Sequence, residues 1–93
     1  MIDLLIIQET IEKIFKVKSI SKVSNRSTRE ITAIRKIYVK LAKESTEHSY
    51  REIGDFVGLN YPYTFKIYHQ QANKMVVEDE FYKKKYIQLI KKI

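Results

Sequence analysis

The fold is decided by residues 49–68, SYREIGDFVGLNYPYTFKIY, which have the pattern of two helices joined by a tight turn. Ser49 and Glu52 form a Ser-x-x-Glu capping box, in which each side chain accepts a hydrogen bond from a backbone amide at the helix start. Gly58 follows the first helix, where a helix end favours a residue that adopts positive φ readily. The stretch therefore predicts a helix-turn-helix whose second helix begins near Pro62.

The start of the second helix is the candidate for contacting a nucleic acid. In a helix-turn-helix protein, the N-terminal turn of this helix lies at a groove of duplex DNA. The side chains there that can contact bases or phosphates are Asn60, Tyr61, Tyr63, Thr64 and Lys66. Alternatively, Tyr61 and Tyr63 serve the packing of a small domain, which is the role that we assign to Phe65.

Three further helices are predicted around this pair. Apolar residues recur at intervals of three and four, the spacing of amphipathic helices, and the predicted helices cover 3–15, 28–46 and 81–93. Ser27 and Glu30 form a second capping box before the longest helix, and Glu78 and Asp79 mark a break before the last. The residues predicted to face the core are Leu4, Ile7, Ile11, Ile14, Phe15, Ile31, Ile34, Tyr38, Leu41, Ala42, Ser45, Ile53, Phe56, Val57, Tyr82, Tyr86, Leu89, Ile90 and Ile93. We expect a compact all-α domain of five or six helices.

Composition limits the class of protein. Its 93 residues allow one domain with a modest core, and 44% hydrophobic residues with 2 Gly and 1 Pro favour helices over disorder. The chain has 0 Cys, which fits the reducing cytoplasm and excludes disulfide and thiolate chemistry. The apolar run from Leu4 to Ile7 is too short for a signal sequence or a membrane span, so we expect no membrane association.

No catalytic site or cofactor is predicted. His48 and His69 are isolated in the sequence and lack the spacing of a metal site, so we interpret both as surface or boundary residues with ordinary partners. There is no glycine-rich phosphate loop, and spacing does not bring together a nucleophile, a base and an orienting residue. We therefore expect neither enzyme activity nor a metal or other cofactor.

The basic residues are concentrated in one segment. The whole chain has a net charge of +7, whereas residues 16–43 carry nine basic residues and one acid, Glu30, for a net charge of +8. The spacing within the long helix predicts a one-sided basic stripe of Arg29, Lys36, Lys40 and Lys43. The stripe is either a solvated helix face or a surface for a polyanion, and the small polar residues and arginines of 24–29 favour DNA. The candidates in this segment for contacts with phosphates or the minor groove are Arg26, Thr28, Arg29, Lys36 and Lys43.

Residues 35–54, RKIYVKLAKESTEHSYREIG, resemble the signature of the C-terminal DNA-binding domain of the bacterial replication initiator DnaA. In that family an Arg-Gln pair begins an apolar helix ending in Leu-Ala-Lys-Glu, and a short turn leads to Ser-x-x-Glu-Ile-Gly. The resemblance extends without gaps from about residue 7 to residue 64. It implies a Trp-repressor-like helix-turn-helix fold and binding to duplex DNA.

The resemblance transfers the family's DNA contacts unevenly. The positions that match its minor-groove loop and its phosphate-facing helix are Arg26, Arg29, Arg35, Lys36 and Lys43. At its base-reading motif, Gly-Arg-Asp-His-Thr-Thr-Val, this chain has residues 59–65, LNYPYTF, and retains only Thr64 and the apolar position of Phe65. The resemblance therefore implies that contacts with the DNA backbone are retained and that most of the residues that recognise bases have been replaced.

Two functions agree with these observations. The first is a stand-alone duplex-DNA-binding protein that regulates replication or transcription, for example in a phage or another mobile element, at a sequence different from the family's. The second is a DnaA-like protein-interaction module that docks on a partner through Tyr61, Tyr63, Tyr68 and the last helix, because aromatic residues are good interface anchors. A homodimer through the last helix is compatible with either function.

Overall fold

The part of the chain that the structure describes is largely helical. The computed structural model describes residues 3–21, 28–59 and 62–93. The helices in these ranges are α1 (Leu4–Phe15), α2 (Arg29–Ser45), α3 (Tyr50–Phe56), α4 (Pro62–Glu78) and α5 (Glu80–Lys92). The predicted all-α fold is confirmed for these ranges, which contain five helices and no strand. The predicted ends of α1, α2 and α5 lie within one residue of the observed ends.

Helix α2 lies at the centre of the fold and contacts α1, α3 and α4. The hydroxyl of the buried Tyr38 donates to the backbone oxygen of Ile53, 2.8 Å away, and this hydrogen bond joins α2 to α3. Burial raises the pKa of Tyr38, since desolvation penalises the phenolate, so the hydroxyl keeps the proton that it donates. The α2 residues predicted to face the core are buried except Ser45, which is half-buried.

The start of α2 differs from the prediction. Its N-cap is Thr28, whose hydroxyl oxygen accepts from the Ile31 amide at 3.1 Å. A capping box requires the acidic residue three positions after the cap, and Glu30 is only two positions after Thr28. The capping box predicted between Ser27 and Glu30 is therefore wrong; Ser27 itself lies outside the described residues.

The helix-turn-helix segment has the caps that its sequence predicted. The Glu52 amide donates to Ser49 Oγ at 3.1 Å, and the Ser49 amide donates to Glu52 Oε1 at 3.0 Å. Both halves of the capping box are thus present at the start of α3. After α3, Gly58 has a positive φ of 76°, as expected for the residue that ends this helix.

Gly54 sets how closely the turn and α4 approach α3. A Cβ at this position would overlap the Leu59 backbone oxygen and would lie 2.6 Å from the Phe65 ring. The Leu59 amide donates to the Gly54 oxygen at 2.8 Å, which folds the turn onto α3. Phe65 is buried beneath this contact, so the core role predicted for it is confirmed.

Two residues predicted to face the core lie at the surface. Phe56 in α3 is 42% exposed and Ile90 in α5 is 54% exposed. Each stands beside a buried neighbour, Val57 or Leu89, at the edge of an apolar stripe. Spacing does not decide whether an adjacent helix covers the edge of a stripe, so both assignments were wrong.

The junction between α4 and α5 was predicted correctly. Helix α4 ends at Glu78, and Asp79 caps α5 by accepting from the Phe81 amide at 2.9 Å. Helix α5 then contacts both α4 and α1. Its first turn meets the end of α1, where the Phe15 and Phe81 ring centres lie 6.3 Å apart.

Candidate nucleic-acid interface

Helix α4 presents a broad face to solvent next to the helix-turn-helix turn. Phe65 and Ala72 are buried and hold the opposite side of α4 against the core. Of the contact residues predicted at its start, Tyr63 is 77% exposed, Lys66 is exposed and Thr64 is half-buried. The predicted contact residues that lie outside the described ranges are Asn60 and Tyr61. Tyr63 and Lys66 are therefore accessible to another molecule.

Sequence reasoning missed the residues that continue this surface along α4. Ile67, Gln70 and Lys74 are exposed and follow Tyr63 by four, seven and eleven residues, the spacing of one helix face. No acidic residue occurs in α4 before its last position. We call the surface formed by Tyr63, Lys66, Ile67, Gln70 and Lys74 the α4 face. The periodicity that marks a buried stripe also marks the opposite exposed one, so the signal was present in the sequence.

The start of α2 places two predicted contact residues at the surface. Arg29 and Thr28 are both exposed. The Thr28 oxygen accepts from the Ile31 amide, and its hydroxyl proton can still be donated to another molecule. An arginine and a hydroxyl donor at a helix N-terminus suit a phosphate oxygen. Arg26, the remaining candidate from this loop, lies outside the described residues.

Arg35 does not lie on the surface that the resemblance implies for it. Its side chain is 3% exposed, and its Nε donates to the Ile20 backbone oxygen at 2.7 Å. The Ile20 amide in turn donates to Glu12 Oε2 at 2.8 Å. Burial lowers the pKa of Arg35, because desolvation penalises the charged form. The predicted surface position of Arg35 is therefore wrong: its guanidinium holds the segment after α1 against α2.

Lys40 is the second cation of α2 that is directed into the protein. It is 8% exposed, and its Nζ lies 2.7 Å from both Glu44 Oε2 and Asn73 Oδ1. The same nitrogen lies 5.0 Å from the ring centre of Tyr86, the range of a cation–π contact. Lys40 thus joins α2 to α4 and α5 and does not extend a solvated basic stripe.

Lys36 and Lys43 are half-buried and lie over tyrosine rings. Lys36 Nζ is 5.6 Å from the ring centre of Tyr68, and Lys43 Nζ is 4.9 Å from that of Tyr50. Lys43 Nζ also donates to the His48 backbone oxygen at 3.2 Å. Both ammonium groups therefore have partners within the protein while retaining part of their surface.

Glu44 connects four helices through its carboxylate. His69 Nε2 lies 2.7 Å from Oε2, and the Tyr86 hydroxyl donates to Oε1 at 3.2 Å. His69 Nδ1 lies 2.8 Å from the Tyr50 hydroxyl, which adds α3 to the cluster. Burial alone would raise the pKa of Glu44, but the hydrogen bonds and charges of Lys40 and His69 outweigh it and lower the pKa. His69 thus has the ordinary partners predicted for it.

Neither a metal-binding cluster nor a helix able to span a membrane occurs among the described residues. His48 lies 3.4 Å from Glu52, whereas His69 belongs to the Glu44 cluster. The two histidines therefore have different carboxylate partners.

No protein-family model matches this sequence. The likeness of residues 35–54 to the initiator's DNA-binding domain therefore stays a prediction from the sequence. A function has to be inferred from the α4 face and the exposed cations themselves.

Proposed function

We propose that this protein is a DNA-binding regulator that places the α4 face in the major groove of a duplex and contacts phosphates with Arg29. The observation that carries the proposal is the exposed composition of the α4 face, which combines Tyr63, Lys66, Gln70 and Lys74 on one side of the second helix. None of these residues is acidic, and the first acid of α4 is Glu78 at its end, so the face attracts the phosphate backbone.

The α4 face contains groups suited to base edges as well as to phosphates. The Gln70 amide has the donor and the acceptor that pair with adenine, and Ile67 is an apolar side chain that can pack on a thymine methyl. Lys66 and Lys74 supply the charges that a phosphate backbone attracts. From Tyr63 to Lys74 the face extends about 16 Å along the helix axis, sufficient to cross a major groove about 12 Å wide.

Burial reduces the set of phosphate contacts expected from the sequence. Arg35 and Lys40 are engaged inside the protein, whereas Arg29, Lys66 and Lys74 are exposed. The half-buried Lys36 and Lys43 of α2 add at most two further charges. We therefore expect three to five neutralised phosphates and a slope of log affinity against log salt of about −3 to −5.

The preferred target is proposed to differ from the initiator's box. Residues 59–65 retain only Thr64 and the apolar position of Phe65 from the family's base-reading motif. Phe65 is buried, so it supports the helix and does not meet a base. A reader built on Tyr63 and Gln70 fits a regulator of replication or transcription in a phage or another mobile element.

Fluorescence anisotropy with a labelled mixed-sequence duplex tests the binding itself. We expect saturable binding at about 50 mM salt and the slope given above. Lys66→Met should reduce the magnitude of the slope by about 0.9, because one phosphate contact is lost. Lys13→Met, which removes an exposed lysine from α1, is the matched control and should leave the slope unchanged. Absence of binding at low salt, or equal effects of the two variants, would contradict the proposal.

Selection of bound sequences from a random duplex pool tests base reading. We expect the wild-type protein to enrich a short motif and Gln70→Ala to relax one position of it, by about 10-fold in affinity. Gln88→Ala removes an exposed glutamine from α5 and should leave the motif intact. Binding without any enriched motif would show that the α4 face does not read bases.

A further inference from the structure

The outward side of α5 is a surface separate from the α4 face. Leu89 is fully buried, and the Tyr86 hydroxyl reaches Glu44, so one side of α5 faces α2 and α4. Lys85 Nζ donates to the Ile14 backbone oxygen at 3.2 Å, so a second side faces α1. The rest of the helix circumference faces solvent.

Two isoleucines lie on this solvent side among lysines. Ile87 is 44% exposed and Ile90 is 54% exposed. Lys83, Lys84 and Lys91 are exposed and stand three or four residues from Ile87, so they share its side of the helix. We call these five residues the α5 surface. After Glu80 at its start, α5 contains no acidic residue.

We propose that the α5 surface binds an acidic amphipathic helix of a partner protein. Ile87 and Ile90 are three positions apart and form a short apolar ridge, the arrangement by which one helix packs on the apolar face of another. The flanking lysines match glutamates or aspartates at the edges of such a face and disfavour partners of their own sign. This interaction goes beyond DNA binding and uses none of the α4 face.

Charge and apolar content favour this occupant over three others. In a symmetric dimer through this surface, each set of lysines would face the same lysines of the second copy, with no acid on the surface to pair them. Duplex DNA would use the lysines but would leave Ile87 and Ile90 without an apolar partner. An anionic membrane holds an interfacial helix through a large apolar face, and two isoleucines provide little of it.

A designed peptide serves as the probe. It is a fluorescein-labelled amphipathic helix of about 18 residues, with leucines on one face and glutamates elsewhere. A second peptide of the same composition, with the leucines distributed around the helix, is its matched control. Anisotropy titrations without DNA should show that the full chain binds the amphipathic peptide at least about 10-fold more tightly than the control.

Variants of the full chain locate the binding site. Replacing both isoleucines, Ile87→Ser with Ile90→Ser, should weaken peptide binding by about 10-fold or more, because the apolar ridge is lost. Reversing two charges, Lys84→Glu with Lys91→Glu, should have a similar effect through repulsion. Val77→Ser removes a 76% exposed apolar side chain from α4 and should leave peptide binding unchanged. All of these side chains are exposed, and circular dichroism should show the same helix content in every variant.

Several outcomes would overturn the assignment. Equal affinity for the two peptides, or peptide affinity unaffected by both α5 double variants, would show that the surface does not recognise an acidic amphipathic helix. A dimer in analytical ultracentrifugation that the isoleucine double variant abolishes would identify a second copy as the occupant. Likewise, loss of binding to phosphatidylglycerol vesicles, or to duplex DNA, on replacing the α5 residues would assign the surface to a membrane or to DNA.

Discussion

Helices α2 and α5 each carry five Lys or Arg residues, but the two sets lie in different environments. In α2, Arg35 and Lys40 are buried, and two further lysines lie over tyrosine rings. In α5, every lysine except Lys85 is exposed. Helix α2 is surrounded by α1, α3 and α4, so side chains leaving its polar side meet other helices, whereas α5 packs at the edge of the fold. The number of charges on a helix is therefore a poor measure of the charge available to a partner.

The two environments imply different roles for the same residue types. A buried cation is costly unless a hydrogen-bond acceptor or an opposite charge compensates it, and Arg35 and Lys40 both have such partners. Exposed lysines contribute little to folding but attract anions. We therefore expect substitutions in α2 to act on stability and substitutions in α4 and α5 to act on binding.

The largest effect on stability is expected from Arg35→Met. The substitution leaves the buried backbone oxygen of Ile20 without the Nε donor, and we expect the free energy of unfolding to fall by about 2 to 3 kcal/mol. Arg29→Met removes an exposed arginine from the same helix and should change the free energy of unfolding by less than about 0.5 kcal/mol. Urea unfolding measures both values. Equal values for the two variants would remove the distinction between buried and exposed cations of α2.

Lys40→Met is expected to have a smaller effect. It removes the contacts of Nζ with Glu44 and Asn73, but Glu44 keeps its contact with His69 and remains partly solvated. We therefore expect the free energy of unfolding to fall by about 1 to 2 kcal/mol. Lys74→Met on the α4 face is the matched control and should change stability by less than about 0.5 kcal/mol. A destabilisation by Lys74→Met as large as that by Lys40→Met would contradict the assignment.

The contribution of Glu44 should depend on pH. Because Lys40 and His69 lower its pKa in the folded protein despite burial, its contribution is present above the ordinary value of 4.5 and is lost as pH falls through the folded value. Glu44→Gln should therefore be less stable than the wild type at about pH 6, and the difference should shrink towards about pH 3. Urea unfolding at both pH values measures it. A stability difference between Glu44→Gln and the wild type that grows on acidification would contradict a lowered pKa of Glu44 in the folded protein.

The smallest effect on stability is expected from Lys84→Met with Lys91→Met. Both side chains are exposed in α5, and the free energy of unfolding should change by less than about 0.5 kcal/mol. Duplex affinity should change little as well, whereas binding of the acidic amphipathic peptide should weaken. Urea unfolding, a titration with duplex DNA and a titration with the peptide can be measured on one preparation. A large loss of duplex affinity would move the DNA-binding surface from α4 to α5.

Much of the fold was predictable because its signals are local. The capping box of Ser49 and Glu52, the positive φ of Gly58 and the break before α5 depend on residues within a few positions of one another. Phe56 and Ile90 were misassigned because an adjacent helix, and not spacing, decides whether the edge of a stripe is covered. The close approach of Leu59 and Phe65 to Gly54 also depends on how α4 packs on α3.

The candidate site was predictable only in part. The exposure of Tyr63 and Lys66 follows from their helical spacing relative to the buried Phe65. The α4 face beyond them was missed, although the same spacing extends to Gln70 and Lys74. The exposed residues of α4 recur with the same period as its buried ones, so the helical spacing alone indicates them.

The sequence by itself determined the helix class, most helix ends and the excess of positive charge, because caps and apolar periods act between near neighbours. Only the tertiary structure decided which cations are available to a partner. Arg35 lies in the core because it meets the backbone of Ile20, fifteen residues earlier, and Lys40 because it meets Asn73, thirty-three residues later. A long side chain has an apolar stem that can pack in the interior and a charged end that cannot, unless distant residues supply a partner for the charge.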